Sequence, residues 1–129
     1  MLENANKEVI ICTSALDFED KSRVLIPTLE KLNYKNIRVK LALSGEADKI
    51  KKINLKYSLK ARTTGSNARV FIADKKEVLF MVTAQNAEEE MGIWLNSPFF
   101  TAYFSNIIEL SLKSAAFNGN GNANQLKEE

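Results

Sequence analysis

The sequence predicts an α/β domain, a mixed β-sheet flanked by helices. Three observations predict it: short β-branched or alternating apolar runs that read as strands, intervening stretches with apolar residues at three-and-four spacing, and a strong helix signal after a closely spaced group of strands. The predicted order is β-α-β-α-β-β-β-α. At 129 residues the chain suits one domain, because single hydrophobic cores usually organise about 100–200 residues.

Residues 8–13, EVIICT, form a β-branched run bounded by polar residues and read as a buried strand. Over residues 19–32, Val24, Leu25, Leu29 and Leu32 share one helical face, and Pro27 inside that stretch predicts a kink or a later start. Ile37, Val39, Leu41 and Leu43 then alternate with Arg38, Lys40 and Ala42, the pattern of a strand with one buried face, and Ser44 and Gly45 end it. Residues 47–53 read as a short basic helix carrying Ile50 and Ile53. Residues 57–62 read as a strand with Tyr57, Leu59 and Ala61 on one side, followed by a turn over residues 63–66.

Residues 68–73 and 78–82 predict a hairpin around a turn at 74–77. The second strand, VLFMV, is apolar on both faces, which predicts a central place with helices above and below. Residues 92–95 read as a short strand or a strand-like arm outside that order. Ser97 and Pro98 open the best helix signal, with Phe100, Phe104, Ile107, Ile108 and Leu112 as its core stripe. The domain is expected to span residues 1–117, and 118–129, NGNGNANQLKEE, to form a flexible tail with too few apolar residues to pack.

Charge and composition exclude several classes of function. A net charge of +2, from 18 basic and 16 acidic residues, provides no strong field for nucleic acid or an anionic membrane. The single cysteine, Cys12, rules out an intramolecular disulfide and a multi-cysteine zinc site, and reads as a small buried hydrophobe. The chain contains no histidine, the side chain most used as general acid or base, metal ligand or phosphoryl-accepting nucleophile. No metal and no cofactor is expected. The N-terminal MLENANKEV lacks the basic and apolar segments of a secretory signal, and no stretch is long enough to span a bilayer, so the chain is read as cytoplasmic.

Asn67, Arg69 and Asp74 stand in the segment N-A-R-V-F-I-A-D. This spacing resembles the His-x-Lys-x-x-x-x-Asp motif of a phospholipase D half-domain, with Asn and Arg at the first two positions. The order of elements over residues 8–116, ending in GIWLNSPFFTAYFSNIIELSLKSA, is similar too, and most similar to the degenerate phospholipase D-like effector domains of archaeal TrmB-type transcription regulators. In active members of the superfamily the histidine attacks phosphorus and the lysine neutralises phosphate oxygens. An asparagine at the first position cannot take that step. Met81 and Val82 stand where such proteins carry a glycine-serine pair.

The resemblance therefore implies a non-catalytic sensor domain that binds a small polar or anionic metabolite. It also implies a homodimer, because superfamily members pair two half-domains across a symmetric interface. DNA would be contacted only through a separate winged-helix domain, for which the chain offers no candidate segment. Asn67 and Arg69 are expected to point together into a vestigial pocket with Asp74 orienting the guanidinium, and Arg62, Thr83, Gln85, Trp94 and Asn96 are candidates for its rim.

Each of these readings has a plainer rival. Asn67, Arg69 and Asp74 also suit a buried ion pair that stiffens a hairpin, and Trp94 a core or interface aromatic. Lys49, Lys51, Lys52 and Lys56 suit a solvated helix face better than a DNA contact, and Glu88, Glu89 and Glu90 an exposed loop better than a cation site. For the whole chain, the alternatives are a ligand-free dimerisation scaffold and a residual phosphodiesterase or nuclease.

Overall fold

The structure is a computed structural model that describes residues 1–120, with side chains described through residue 112. Its strands are β1 (Glu8–Ser14), β2 (Arg38–Ser44), β3 (Arg62–Thr63), β4 (Val70–Ala73), β5 (Glu77–Met81) and β6 (Gly92–Asn96). Its helices are α1 (Ala15–Asp20), α2 (Ser22–Tyr34), α3 (Ala47–Tyr57) and α4 (Pro98–Asn120). The strands make one six-stranded mixed sheet in the order β3-β2-β1-β4-β5-β6. β1, β2 and β3 are parallel, and β4, β5 and β6 continue the sheet antiparallel from β1. The fold is the α/β sandwich that the sequence predicts.

Alternation along the strands sends side chains to two separate cores. Val9 and Ile11 of β1, Leu41 and Leu43 of β2, and Phe71 and Ala73 of β4 face α1, α2 and α3, which contribute Phe18, Leu25, Leu29, Leu32, Ile50 and Ile53. On the other face Ile10, Cys12, Ala42, Val70, Ile72 and Val78 pack with Ile108 and Leu112 of α4. Lys40 and Glu109 form an ion pair that ties α4 to β2. Cys12 is fully buried, and its surroundings raise the thiol pKa.

Several elements differ from the sequence expectation, each for a local reason. The stretch around residues 19–32 is two helices, broken at Lys21. α2 then runs through Pro27 without starting late, and both Pro27 and Arg23, the residue four positions before it, are exposed. The predicted strand at 57–62 is mostly absent. α3 continues to Tyr57, Ser58 caps it in the left-handed region at φ 56°, and the Asn54 side chain takes the Ala61 N–H and C=O that a strand would have used. Only Arg62 and Thr63 pair with β2.

The central strand is β1, buried along nearly its whole length, and not the VLFMV strand β5, which sits next to the sheet edge. α4 covers one face of β5, while Leu79 and Met81 on the other face stay half-buried. Ser97 does cap α4, its hydroxyl accepting from the Phe100 N–H at 3.2 Å. The inward face of α4 is Thr101, Ser105, Ile108 and Leu112, and Phe100 and Ile107 point away from the core they were expected to fill. α4 extends three residues past the expected start of the tail, and residues 121–129 lie outside the described residues.

Candidate functional site

The two central parallel strands both end in serine, and Ser14 and Ser44 are register partners at the carboxyl edge of the sheet. Crevices outside the carboxyl ends of strands are where open α/β sheets bind ligands. Here Ser14, Ser44, Asn67, Ala68, Arg69, Met81, Thr83, Ala84 and Gln85 line a cleft of about 240 Å³. A larger hollow of about 420 Å³ lies beside β2 over Leu29, Val39 and Leu41, and contains none of the motif residues.

Arg69 precedes β4 and is only 6% exposed. Its Nη1 lies 3.4 Å from Asp17 Oδ1 and 3.4 Å from Glu90 Oε2, and its Nη2 donates to the Thr83 carbonyl at 2.5 Å. Asp17, on α1, is equally buried. It accepts from the Thr13 hydroxyl at 2.6 Å and pairs with Lys21, while its own N–H donates to Ser14 Oγ at 3.0 Å. Lys21 reaches Glu90 at 3.2 Å. The resulting network is Arg69 and Lys21 against Asp17 and Glu90, with a formal charge of zero.

Burial opposes ionisation of Asp17, but hydrogen bonds from Lys21 and Thr13 and the charges of Lys21 and Arg69 more than offset it and hold its pKa below the ordinary value. Burial likewise pulls Lys21 down, and the contacts with Asp17 and Glu90 bring it above its ordinary value. Asp17 and Lys21 are therefore both charged near neutral pH. The segment between β5 and β6, residues 82–91, closes one side of the cleft. Glu90 and the Thr83 carbonyl hold it to Arg69, and the Ser14 hydroxyl donates to the Gln85 side-chain oxygen.

Four of the eight sequence-predicted positions meet at this cleft: Asn67, Arg69, Thr83 and Gln85. The other four lie elsewhere. Asp74 does not orient Arg69, because it follows β4 while Arg69 precedes it, roughly 16 Å away along an extended chain. Its carboxylate accepts from the backbone N–H groups of Asn6 at 2.9 Å, Lys7 at 2.7 Å and Glu8 at 3.0 Å. Burial works against that carboxylate, and the three backbone donors prevail and lower its pKa.

Arg62 projects from the short edge strand β3 on the α4 side of the sheet, where its charge acts on Glu109. Trp94 stands half exposed on the edge strand β6, its indole N–H donating to Glu77 at 3.0 Å. Asn96 pairs with Glu77, towards the Asp74 end of the sheet. Sequence reasoning passed over Ser14, Asp17, Lys21 and Ser44 as site residues, and weighed Glu90 only as a cation ligand or part of an exposed loop, whereas it pairs with Arg69 and Lys21. The one local signal was the i, i+4 spacing of Thr13, Asp17 and Lys21, which sets an acceptor between two donors.

The other charged run lies on α3. Lys51, Lys52 and Lys56 lie on the exposed side of α3, with Lys56 5.1 Å from the Tyr57 ring centroid and Lys49 3.8 Å from Glu19. Among the described residues no cluster of three or more His, Cys, Asp or Glu could hold a metal ion, and no helix is long and apolar enough to cross a membrane. In chemical terms the cleft offers neutral hydroxyl and amide groups over a self-compensated ionic floor.

Comparison with known proteins agrees with this architecture. The family described as transcriptional regulator TrmB, EBD N-terminal subdomain, matches residues 1–107. The solved structure of TrmBL2, an archaeal chromatin protein with a novel mode of DNA binding, superposes with a TM-score of 0.59 at 19% identity, over 88% of this chain and 45% of that one. Nuc, a phospholipase D family member from Salmonella typhimurium, gives a TM-score of 0.59 at 14% identity, over 87% of this chain and 82% of that one. At those identities the two structures speak for the fold alone, and the chain spans less than half the length of TrmBL2. No curated protein matches the sequence. On its family match and its fold, the chain belongs to the N-terminal effector-domain family of TrmB-type transcription regulators, built on a phospholipase D-like half-domain.

Proposed function

We propose that this domain is a non-catalytic ligand-sensing module of a transcription regulator that holds a small uncharged polar molecule in the Arg69 cleft and acts through dimerisation. The observation that carries the choice of ligand is the internal compensation of charge. Arg69 and Lys21 are matched by Asp17 and Glu90, so an entering anion gains no net positive field and would have to displace carboxylates already seated on the guanidinium. What the cleft leaves open to a guest is neutral: the hydroxyls of Ser44 and Thr83 and the amides of Asn67 and Gln85, beside Met81 and Ala68. Asn67 stands where the superfamily's nucleophile would be, and an amide binds without attacking phosphorus. DNA is contacted through a separate DNA-binding unit, in keeping with the regulator family.

The test is ligand-induced stabilisation across two panels, one of neutral polyols, sugars and nucleosides and one of phosphate, sulfate and carboxylates. A neutral compound at 100 times its Kd should raise stability by about 2.7 kcal/mol, and Asn67→Ala should weaken that response. A response confined to the anions would overturn the neutral reading. A second reading, a ligand-free scaffold, is favoured by the same saturation of Arg69. It predicts a flat response to both panels.

A further inference from the structure

β2 is paired along its full length on one side only. Its neighbour on the other side, β3, meets just Ala42 and Leu43, because the chain leaves α3 as an irregular segment whose Ala61 is held by the Asn54 side chain. The Thr64 N–H donates to the Leu43 carbonyl at 3.0 Å, so Leu43 turns its backbone groups towards β3, and alternation turns those of Leu41 and Val39 the same way. The Arg38 N–H, by contrast, donates towards β1, to the Lys7 carbonyl at 3.2 Å. Val39 therefore presents both its N–H and its C=O to an edge without a strand, and no described residue bonds to either. Val39 is half-buried, and backbone groups in that state favour a partner that supplies the missing bonds.

The hollow of about 420 Å³ opens beside this edge, with an apolar lining from Ile26 and Leu29 of α2, Val39 and Leu41 of β2, and Ile37 and Leu59. In paired strands, residues directly opposite each other share a face. A segment laid along β2 would therefore send the side chains opposite Val39 and Leu41 over the hollow, and those opposite Arg38 and Lys40 to the α4 side of the sheet. On that side the Arg38 side chain is 73% exposed and Arg62 is exposed too. The carboxylates near them are already engaged, since Glu109 pairs with Lys40, and the buried Glu8 lies 3.7 Å from Lys40 and 3.5 Å from Arg38.

We propose that the open edge of β2 docks an extended peptide of another protein in which apolar residues alternate with acidic ones. Strand addition of this kind draws affinity from main-chain bonds and specificity from alternate side chains. Charge complementarity selects the occupant: carboxylates at every second position meet Arg38 and Arg62, and the apolar residues between them fill the hollow. A second copy of this chain laid edge to edge along β2 would instead bring two rows of Arg38 and Lys40 together, and like charges across paired strands repel. A small apolar molecule would fill the hollow and leave the Val39 backbone unmet.

Fluorescence polarisation tests the proposal, with the full chain and a labelled peptide that alternates valine and glutamate, beside a control peptide in which lysine replaces glutamate. The glutamate peptide should bind saturably and the lysine peptide about tenfold more weakly. Arg38→Glu should narrow or reverse that preference, and because Arg38 is exposed the change leaves the core intact. Hydrogen exchange reads the geometry: the Val39 amide should exchange fast in the free protein and slow when the glutamate peptide is bound. Of two backbone-methylated forms of that peptide, one methylated at its valines and one at its glutamates, only one should still bind, since a strand turns alternate N–H groups to opposite edges. Equal binding of the two charge types, or binding that leaves Val39 exchange unchanged, overturns the proposal. So does a glutamate peptide that fails to bind at millimolar concentration, or a Val39 amide already protected in the free protein, as a second copy along this edge would make it.

Discussion

Arg69 and Asp74 sit at opposite ends of β4, and the molecule satisfies their charges in opposite ways. Asp74 is met almost wholly by backbone: three consecutive N–H groups leading into β1 converge on its carboxylate, and its own N–H donates to the Glu8 carbonyl at 2.8 Å. Both Asp74 and Lys75 take positive φ, at 55° and 56°, which closes the three-residue turn between the paired Ala73 and Glu77, with the Lys76 N–H donating to the Ala73 carbonyl at 3.0 Å. Arg69 is met mainly by side chains from α1 and from the segment between β5 and β6, with one carbonyl of that segment. A clamp of backbone donors has one geometry. A network of side chains can exchange partners, and so the adaptable end of the strand is the end that carries the cleft.

The comparison breaks most severely at Asp17. Asp17→Ala leaves Arg69 without its buried carboxylate and should cost about 3–5 kcal/mol, read from urea unfolding. Adding Arg69→Leu should recover part of that loss, because the uncompensated charge is then gone. If the double variant is less stable than Asp17→Ala, the pair is not the unit described here. At the other end, Asp74→Ala should cost about 2 kcal/mol by releasing backbone donors, and should leave the ligand response of the cleft unchanged.

Acid acts on both ends together. The Asp17 and Asp74 pKa values are lower in the folded protein than the ordinary carboxylate value. Their contribution to stability is therefore complete above about pH 4 and is lost as pH falls through the lower folded values. Urea midpoints measured from pH 5 down to pH 2.5 should fall steeply, and Asp74→Asn should flatten part of that slope. The smallest effect is expected at Glu90, whose side chain is partly exposed. Glu90→Gln should cost about 0.5–1 kcal/mol and speed hydrogen exchange in residues 82–91, with the β4–β5 turn unaffected.

Legibility in the sequence followed the range over which each interaction acts. β1, the β4–β5 hairpin and the Ser97 cap could be read because their signals are local: a β-branched run, a tight turn, a hydroxyl before proline. The strand read at 57–62 failed because alternation of Tyr57, Leu59 and Ala61 also suits an irregular segment packed against a helix, and only the Asn54 amide decides between the two. On α4 the apolar stripe found Phe104, Ile108 and Leu112 but added the exposed Phe100 and Ile107 and missed Thr101 and Ser105, since a helix with apolar residues all round gives its periodicity no preferred side. At the site, motif spacing brought Asn67 and Arg69 into view, yet it also joined Asp74 to them across the length of β4. Glu90 lies 21 residues beyond Arg69 in sequence, and no short-range pattern links the two.

The segment between β5 and β6 is pinned at its root, where the Val82 N–H donates to the Met91 carbonyl and the Met91 N–H to the Thr83 hydroxyl. With the two stalks so fixed, chain length at the tip near Ala87 is free to vary without disturbing the strands below. That makes the tip a grafting point, where a fluorescent reporter spliced in would stand beside the crevice while the sheet beneath it stays in register.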